Sequence, residues 1–246
     1  MPAAVLSVDV MTSHLAALVV SANDPAALAR FWAGVLGWSA SDDTTLDPPD
    51  DTGFRLTFRP TSEPKTRPNQ MHFDLTSQSL AEQEATVERV LAFGGRHLDV
   101  GQLPEEEHVV LADPEGNELC VIEPGNGFLA DCPFIGAVSS DGSQQVGYFW
   151  SQALGWPLVW DQDGETAIRA PVGGPKISWG GPPFNTKIGP NRWHFDLAPD
   201  GDQDAEVDRL LALGAIHGEL LACRPGAVPL LDPDGNEFCL LASTGA

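Results

Sequence analysis

Basic residues are scarce in this sequence of 246 residues, which contains 13 lysines and arginines against 35 aspartates and glutamates. The formal net charge at pH 7 is therefore -22, and this charge repels both nucleic acid phosphates and an anionic membrane surface. We therefore expect no nucleic acid and no membrane among the partners of the protein. The protein itself is expected to be a monomer or a homodimer.

Cysteine is also scarce, because the chain has four cysteines and a small disulfide scaffold needs more. Cys120 and Cys239 occupy the same position in an internal repeat, so each is predicted to serve its own half of the chain rather than to bridge the halves. All four thiols are predicted to be reduced. No apolar run reaches the length of a membrane span, and residues 1–10 lack the basic flank and apolar core of a signal peptide. The sequence thus predicts a cytoplasmic protein.

The chain does have 42% apolar residues, enough for two domains that each bury a core. A conspicuous repeat accompanies this composition: Pro68–Leu75 returns as Pro190–Leu197, and Asp113–Cys120 returns as Asp232–Cys239. The two parts of the repeat lie at similar spacing in both copies. Such paired matches indicate an internal duplication.

Each copy predicts the same order of elements. In the first copy, a strand over His14–Val20 leads into a helix that begins near the capping residue Asp24 and stops at Gly37, which supplies a left-handed conformation. Later strands alternate apolar and polar residues, and Asp113–Gly116 has the residue preferences of a type I turn. The order restarts at Phe134, so we predict four strand-helix-strands units, two in each copy.

A long irregular loop, Gly180–Pro190, follows the third unit and contains three prolines and three glycines. We interpret it as a candidate lid. Trp179 precedes the loop, and two alternatives stand for its side chain: packing in the core, or stacking against a planar ligand.

These units resemble the vicinal oxygen chelate superfamily, which includes glyoxalases, bleomycin-resistance proteins, fosfomycin-resistance proteins and extradiol dioxygenases. The resemblance rests on the Phe31-Trp32…Leu36-Gly37-Trp38 opening and on the Asp-Pro-x-Gly-Asn hairpin, each present twice in related form. It implies an α+β fold of tandem βαβββ units, whose mixed, curled sheets form cups. The implied organisation is an N-terminal tail (1–13), a first glyoxalase-like domain (14–123), a linker (124–131) and a second such domain (132–242).

The resemblance also implies positions for a divalent metal, which some members hold with side chains projecting into the cup. These positions fall on His14, His72 and Cys120 in the first domain and on Cys132, His194 and Cys239 in the second. No carboxylate completes either set, which argues against the two-histidine, one-carboxylate iron site of an extradiol dioxygenase. Two alternatives remain: each trio binds zinc through nitrogen and sulfur, or the cysteines are buried fillers. The second is the leading hypothesis, so no cofactor is expected.

His72 and His194 are the candidate catalytic residues, because both copies keep a histidine on the polar face of a strand. Asp74 and Asp196 follow on the same face and are candidate ligand contacts. The roles considered for the histidines are acid/base chemistry or ligand contact, and the alternative is a strand histidine held by its neighbouring aspartate.

Eight basic residues fall in equivalent windows of the two copies, namely Arg55, Arg59, Lys65 and Arg67, and Arg169, Lys176, Lys187 and Arg192. Either they form a positive opening that attracts an anionic ligand, with Arg55 as a contact, or they make ordinary ion pairs with the abundant acids. Glu118 and Glu237, on the strand face of the repeated cysteines, are either general bases or solvated residues.

The functional hypothesis is that a small organic molecule, anionic or aromatic, binds in one or both cups. A lyase or isomerase step is one version of this hypothesis. Two alternatives are a non-catalytic sequestering protein, as in the bleomycin-resistance type, and a structural interaction module.

Overall fold

The computed structural model describes residues 12–50, 53–103, 105–219 and 223–243, which form four βαβββ units. The first unit contains β1 (Ser13–Ala22), α1 (Pro25–Leu36), β2 (Ser39–Asp42), β3 (Thr45–Asp47) and β4 (Arg55–Pro60). The second contains β5 (Met71–Leu75), α2 (Leu80–Ala92), β6 (Arg96–His97), β7 (Val109–Ala112) and β8 (Glu118–Val121).

The second half of the chain repeats this order. The third unit contains β9 (Ile135–Ser140), α3 (Gln144–Leu154), β10 (Leu158–Gln162), β11 (Glu165–Arg169) and β12 (Lys176–Trp179). The fourth contains β13 (Trp193–Pro199), α4 (Gln203–Leu213), β14 (Ile216–His217), β15 (Val228–Leu231) and β16 (Glu237–Leu240). Of the expected N-terminal tail, 1–13, residues 1–11 lie outside the described residues, and β1 already begins at Ser13.

The units pair across the two halves of the chain. Sheet A joins the first and fourth units in the order β14-β15-β16-β13-β1-β4-β3-β2, and sheet B joins the second and third in the order β10-β11-β12-β9-β5-β8-β7-β6. Antiparallel pairs, β1 with β13 and β5 with β9, connect the halves within each sheet. The predicted α+β fold of tandem βαβββ units with curled sheets is confirmed.

Each curled sheet has one polar and one apolar face. We name the polar face of sheet A, which carries His194 and Asp196, cup A. Cup B is the polar face of sheet B, which carries His72 and Asp74. The opposite faces form the core, and Phe73 and Phe195, each between the histidine and the aspartate of its strand, are buried there. Strand alternation produces this division.

The helix starts and stops follow the local sequence. Asp24 Oδ1 accepts a hydrogen bond from Ala27 N at 3.0 Å, and Gly37 ends α1 with a φ of 70°. In the repeat, Ser143 caps α3 and Gly155 ends it with a φ of 65°. The side-chain cap satisfies an otherwise unpaired N–H, and glycine accepts the left-handed conformation without a Cβ penalty.

Each repeated hairpin is tied to the helix of the preceding unit through a buried aspartate. Asp113 accepts hydrogen bonds from the backbone N–H groups of Glu115 and Asn117, both at 2.9 Å, from Asn117 Nδ2 at 2.7 Å, and from Trp32 Nε1 at 3.2 Å. Trp150 makes the corresponding 3.2 Å bond to Asp232. The hairpin of one sheet is thereby fixed against a helix that belongs to the other sheet.

The prediction that all thiols are reduced is wrong for one pair, because Cys223 and Cys239 form a disulfide. Cys120 and Cys132 are free. Cys223 has no counterpart in the first copy, so the repeat gave no indication that it would approach Cys239. In the part of the chain that the structure describes, no helix has both the length and the apolar character needed to cross a membrane.

Candidate functional site

Cup B brings three potential ligand groups together. His72 and Asp74 project from the same face of β5, and the parallel register places Cys120 of β8 beside Asp74. One ligand atom from each residue lies within 4.8 Å of the other two. His72 Nε2 is 3.4 Å from Asp74 Oδ1, and the His72 side chain keeps 35% of its surface exposed. His72 is therefore accessible from the cup, whereas the Asp74 side chain is 14% exposed.

The charge state of His72 follows from this arrangement. Burial alone would lower the pKa of His72, but the hydrogen bonds and charges of Asp74 and Cys120 outweigh burial and raise this pKa to about 10. At neutral pH the imidazole is therefore protonated and faces the Asp74 carboxylate. In this state His72 is a proton donor.

Two serines from the second half of the chain complete cup B. Ser139 of β9 donates its hydroxyl hydrogen to Asp74 Oδ2, and its Oγ lies 3.2 Å from Ser178 Oγ of β12. Next to this row is a cavity of about 340 Å³, whose lining includes His72, Ser139, Ser178, Gly180 and Pro182. Its size falls in the range of small-molecule sites. The cavity borders the loop that we interpreted as a candidate lid.

Cup A contains the corresponding residues in a closed environment. His194 and Asp196 are each no more than 1% exposed, and Cys239 is engaged in the disulfide. Arg59 Nη2 lies 2.8 Å from Asp196 Oδ2, and Arg224 Nε lies 4.0 Å from the same oxygen. Cys239 Sγ is close enough to the other two groups for a metal site, but a disulfide sulfur is not the thiolate that metals require.

The strand register explains why one cup is open and the other is filled. The residues paired across cup B are His72, Ser139 and Ser178, and those paired across cup A are His194, Val19 and Thr57. Two positions further along the third strand, cup B has Gly180 and cup A has Arg59. A Cβ atom at Gly180 would find Ser140 O, at 3.9 Å, as its nearest neighbour. Glycine leaves the space that the guanidinium fills in cup A.

The metal trios that the resemblance implied are not formed as expected. His14 is on sheet A and His72 on sheet B, so His14 does not join His72 and Cys120. Its side chain is 63% exposed, and Nδ1 lies 3.1 Å from Asp200 Oδ1. Cys132 precedes β9 of sheet B, away from His194 on sheet A. The correction arises because each sheet takes one unit from each half of the chain.

Two further candidate contacts lie outside the cups. The Arg55 side chain is 63% exposed, and its Nε lies 2.8 Å from Asp47 Oδ1. Trp179 is buried and packs in the apolar core, on the face of β12 opposite Ser178. Core packing therefore describes Trp179 better than ligand stacking, because strand alternation turns it away from the cup.

The basic windows form ion pairs in several places. Lys65 Nζ lies 2.6 Å from Glu118 Oε1, and Lys187 Nζ lies 2.7 Å from Glu237 Oε2. Arg192 lies 2.7 Å from a Glu115 carboxylate oxygen. Glu118 and Glu237 are consequently paired and largely buried, unlike either the free general bases or the solvated residues considered from the sequence.

Sequence reasoning missed Ser139, Ser178 and Gly180 in cup B and the filling role of Arg59 in cup A. The signal that identifies them is the cross-strand register between the two halves of the chain. No local motif contains that register.

A family model described as a glyoxalase-like domain matches residues 17–122 and again residues 137–241. Among solved structures, glyoxalase I from Zea mays is similar with a TM-score of 0.62 and 15% identity, covering 94% of this chain and 93% of that one. A glyoxalase-related enzyme from Fulvimarina pelagi is 22% identical, with a TM-score of 0.35, over 44% of this chain and 86% of its own. No curated protein matches this chain. The similarity to the Zea mays structure shows the fold alone.

Proposed function

Because the chain belongs to the glyoxalase-like domain family of the vicinal oxygen chelate superfamily, we propose that it binds a small organic molecule in cup B. The observation that carries the proposal is the difference between the cups at one position. Gly180 and His72 both line a cavity of about 340 Å³, whereas Arg59 contacts Asp196 in cup A. The open cup is therefore the one assigned a ligand.

The groups in cup B suit a ligand that carries oxygen atoms. The His72 imidazolium is a charged hydrogen-bond donor, and the Ser139 and Ser178 hydroxyls both donate and accept. Pro182 and Pro183 add apolar surface at the rim. A small carbonyl compound or carboxylate would use the polar row for orientation and the rim for burial.

For catalysis, we propose proton transfer of the lyase or isomerase type with His72 as general acid. In an isomerisation, His72 Nε2 donates its proton to a ligand carbonyl oxygen while the Asp74 carboxylate takes the proton lost by the adjacent carbon. For an α-hydroxycarbonyl ligand, Asp74 then gives its proton to the former carbonyl carbon, and His72 recovers a proton from the hydroxyl group on the other carbon, so the two side chains return to their starting states. Ser139 holds Asp74 through its hydroxyl, which fixes the carboxylate beside His72.

Sequestration without catalysis is the second candidate. It is favoured by Cys120, because this residue stands where the metal-binding relatives carry a carboxylate ligand. Under this proposal, His72 and the two serines bind the ligand without transforming it.

Cup B also has a donor set that fits zinc. His72, Asp74 and Cys120 provide one nitrogen, one oxygen and one sulfur within 4.8 Å, and zinc accepts all three types with a further position open. A zinc ion bound there would polarise a ligand oxygen. Elemental analysis of the purified protein, together with His72→Ala, tests this alternative to metal-free binding.

The proposed site is tested by placing an arginine side chain in cup B, at the position of Gly180, as Arg59 is placed in cup A. Metabolites that raise the melting temperature of the wild-type protein are first identified, and their affinities are then measured for Gly180→Arg and Gly180→Ala. We expect Gly180→Arg to abolish binding by placing a guanidinium in the cavity. Gly180→Ala is the matched control, because its Cβ has nearest contact at 3.9 Å. Ligands that bind Gly180→Arg as well as wild type would refute the site.

His72→Ala distinguishes catalysis from sequestration once a ligand is known. Lost turnover with retained affinity supports general-acid catalysis, whereas parallel loss of affinity supports sequestration. His194→Ala is the control in the other cup and should leave the cup B reaction unchanged.

A further inference from the structure

A small cavity lies where the two halves of the chain meet, and we name it the junction cavity. Its lining comes mainly from residues 61–70, between β4 and β5, and from residues 190–192, just before β13. Its volume is about 180 Å³. Arg67 Nη2 donates a hydrogen bond from the first half to Pro190 O of the second, at 2.7 Å. The histidines and aspartates of cups A and B are not part of this lining, so the cavity is separate from both cups.

Charge distinguishes the junction cavity from the rest of this acidic chain. Three of the 13 basic residues line it, namely Lys65, Arg67 and Arg192. Of the 35 acids, Glu63 is the one that belongs to the lining in the described part of the chain. The two basic windows, one in each half of the sequence, therefore contribute to a single opening. Such a cluster attracts an anion.

The basic side chains of the junction cavity differ in how they are paired. Lys65 binds Glu118, and Arg192 binds Glu115, but neither glutamate lines the cavity. Glu115 also accepts hydrogen bonds from two backbone N–H groups at the start of α1. Among the described residues, no acid forms an ion pair with Arg67, which is exposed. Arg192 Nε is buried without a hydrogen-bond partner, and buried donors almost always have an acceptor, which favours an acceptor supplied by a bound anion.

The duplication shows that these arginines are not inherited with the fold. The repeat places Arg67 opposite Gly189 and Arg192 opposite Gln70. The lysine–glutamate ion pair, in contrast, occurs in both copies. A cavity beside Lys187 in the second copy is lined by two aspartates and one lysine. Each copy has thus gained an arginine at a different position, and both arginines reach the same cavity.

We infer that the junction cavity is a binding site for a phosphate group. Guanidinium N–H groups match the geometry of phosphate oxygens, and a lysine adds a compact positive charge. The hydroxyls of Thr61 and Thr66, also in the lining, are further donors. The volume lies below the range of roughly 300–1,000 Å³ that organic ligands occupy. The cavity therefore takes inorganic phosphate, or the phosphate of a monoester whose remainder lies outside.

The first test is calorimetric titration of the full chain with inorganic phosphate and with glycerol 3-phosphate. We expect binding that weakens as sodium chloride is raised, because the contacts are electrostatic. Tighter binding of glycerol 3-phosphate would identify a monoester as the ligand, whereas equal or tighter binding of inorganic phosphate would identify the free ion. Absence of binding by both compounds would overturn the inference.

The second test changes the charges of the cavity in both directions. Arg67→Gln should weaken phosphate binding about 10- to 100-fold through loss of a charge-assisted hydrogen bond, and Arg67→Lys should retain part of the affinity. Glu63→Gln should strengthen binding about 2- to 5-fold, because it removes the acid of the lining. Arg55→Gln is the matched control, since Arg55 is exposed and pairs with Asp47 outside the cavity. Equal affinity of wild type and Arg67→Gln, or weaker binding by Glu63→Gln, would refute the site.

The result is separable from the function proposed for cup B. The junction cavity and the cavity of cup B share Asn69 and Gln70 in their linings, so a phosphate bound in cup B has to be distinguished. Gly180→Arg fills only the cup B cavity and should leave phosphate binding unchanged. Loss of phosphate binding in Gly180→Arg would assign the phosphate to cup B and refute the junction site.

Discussion

Replacing Asp113 by alanine is expected to destabilise the protein strongly, because this buried side chain accepts hydrogen bonds from four donors. Two are backbone N–H groups, and the others are the Asn117 amide and the Trp32 indole. At about 1 kcal/mol for each lost hydrogen bond, Asp113→Ala should lower the free energy of unfolding by about 4 kcal/mol. Urea denaturation followed by tryptophan fluorescence measures this change. A loss below about 1 kcal/mol would refute the role assigned to the aspartate.

Asp113 also predicts how stability changes with pH. Burial raises the pKa of Asp113 to about 6 from an ordinary value of 3.8, against the opposing effect of its hydrogen bonds to Asn117 and Trp32. The folded state therefore holds the proton more tightly than the unfolded state, and the contribution of Asp113 to stability is largest below pH 3.8. It falls as pH rises toward 6, by about 3 kcal/mol in all and about 2 kcal/mol between pH 4.5 and 7.5.

The measurement compares wild type with Asp113→Asn, which cannot ionise. The stability advantage of wild type over Asp113→Asn should shrink by about 2 kcal/mol between pH 4.5 and 7.5. Because all other acids are common to both proteins, the difference isolates Asp113. An advantage that stays constant or grows with pH would show that the folded-state pKa is not raised. Asp232, whose pKa burial also raises to about 6, supplies an independent repetition in the other half of the chain.

Three further changes test other parts of the fold. Cys223→Ser should lower the unfolding free energy by about 3 kcal/mol, because the disulfide closes a sequence separation of 16 residues; equal stability of oxidised wild type and Cys223→Ser would contradict it. Gly37→Ala should cost about 1 kcal/mol in urea denaturation, because its φ is 70°, whereas Gly127→Ala, with no left-handed φ and open space around it, should be nearly neutral. Trp32→Phe, which removes the indole donor to Asp113, should cost about 1 kcal/mol, and combining it with Asp113→Ala should add little, since both changes remove the same bond.

Several features of the fold were predictable because their causes are local. The cap at Asp24, the left-handed stop at Gly37 and the Asp113–Gly116 turn each depend on a few adjacent residues, and each forms as expected. Strand alternation also placed His72 and Asp74 on one face. The second half of the chain repeats the same local signals, so the four units and the α+β class could be predicted from the sequence.

The grouping of candidate site residues was less predictable. His14 and Cys132 were assigned to the wrong partners because units that are consecutive in sequence do not share a sheet. The pattern of a strand does not predict which other unit will extend its sheet, because every other unit has an edge strand that could pair with it. Likewise, Cys223 lies outside the repeat, and its approach to Cys239 depends on the path of the chain between α4 and β15.

The sequence by itself determined the elements, the duplication and the polar strand positions of His72 and His194, because dihedral preferences and alternation act over a few residues. Only the tertiary structure decided that these histidines occupy different chemical environments. Sheet pairing across the two halves sets Gly180 beside one cup and Arg59 inside the other. Each of these contacts joins residues far apart in the chain, and such contacts are settled by the packing of whole units around a common core.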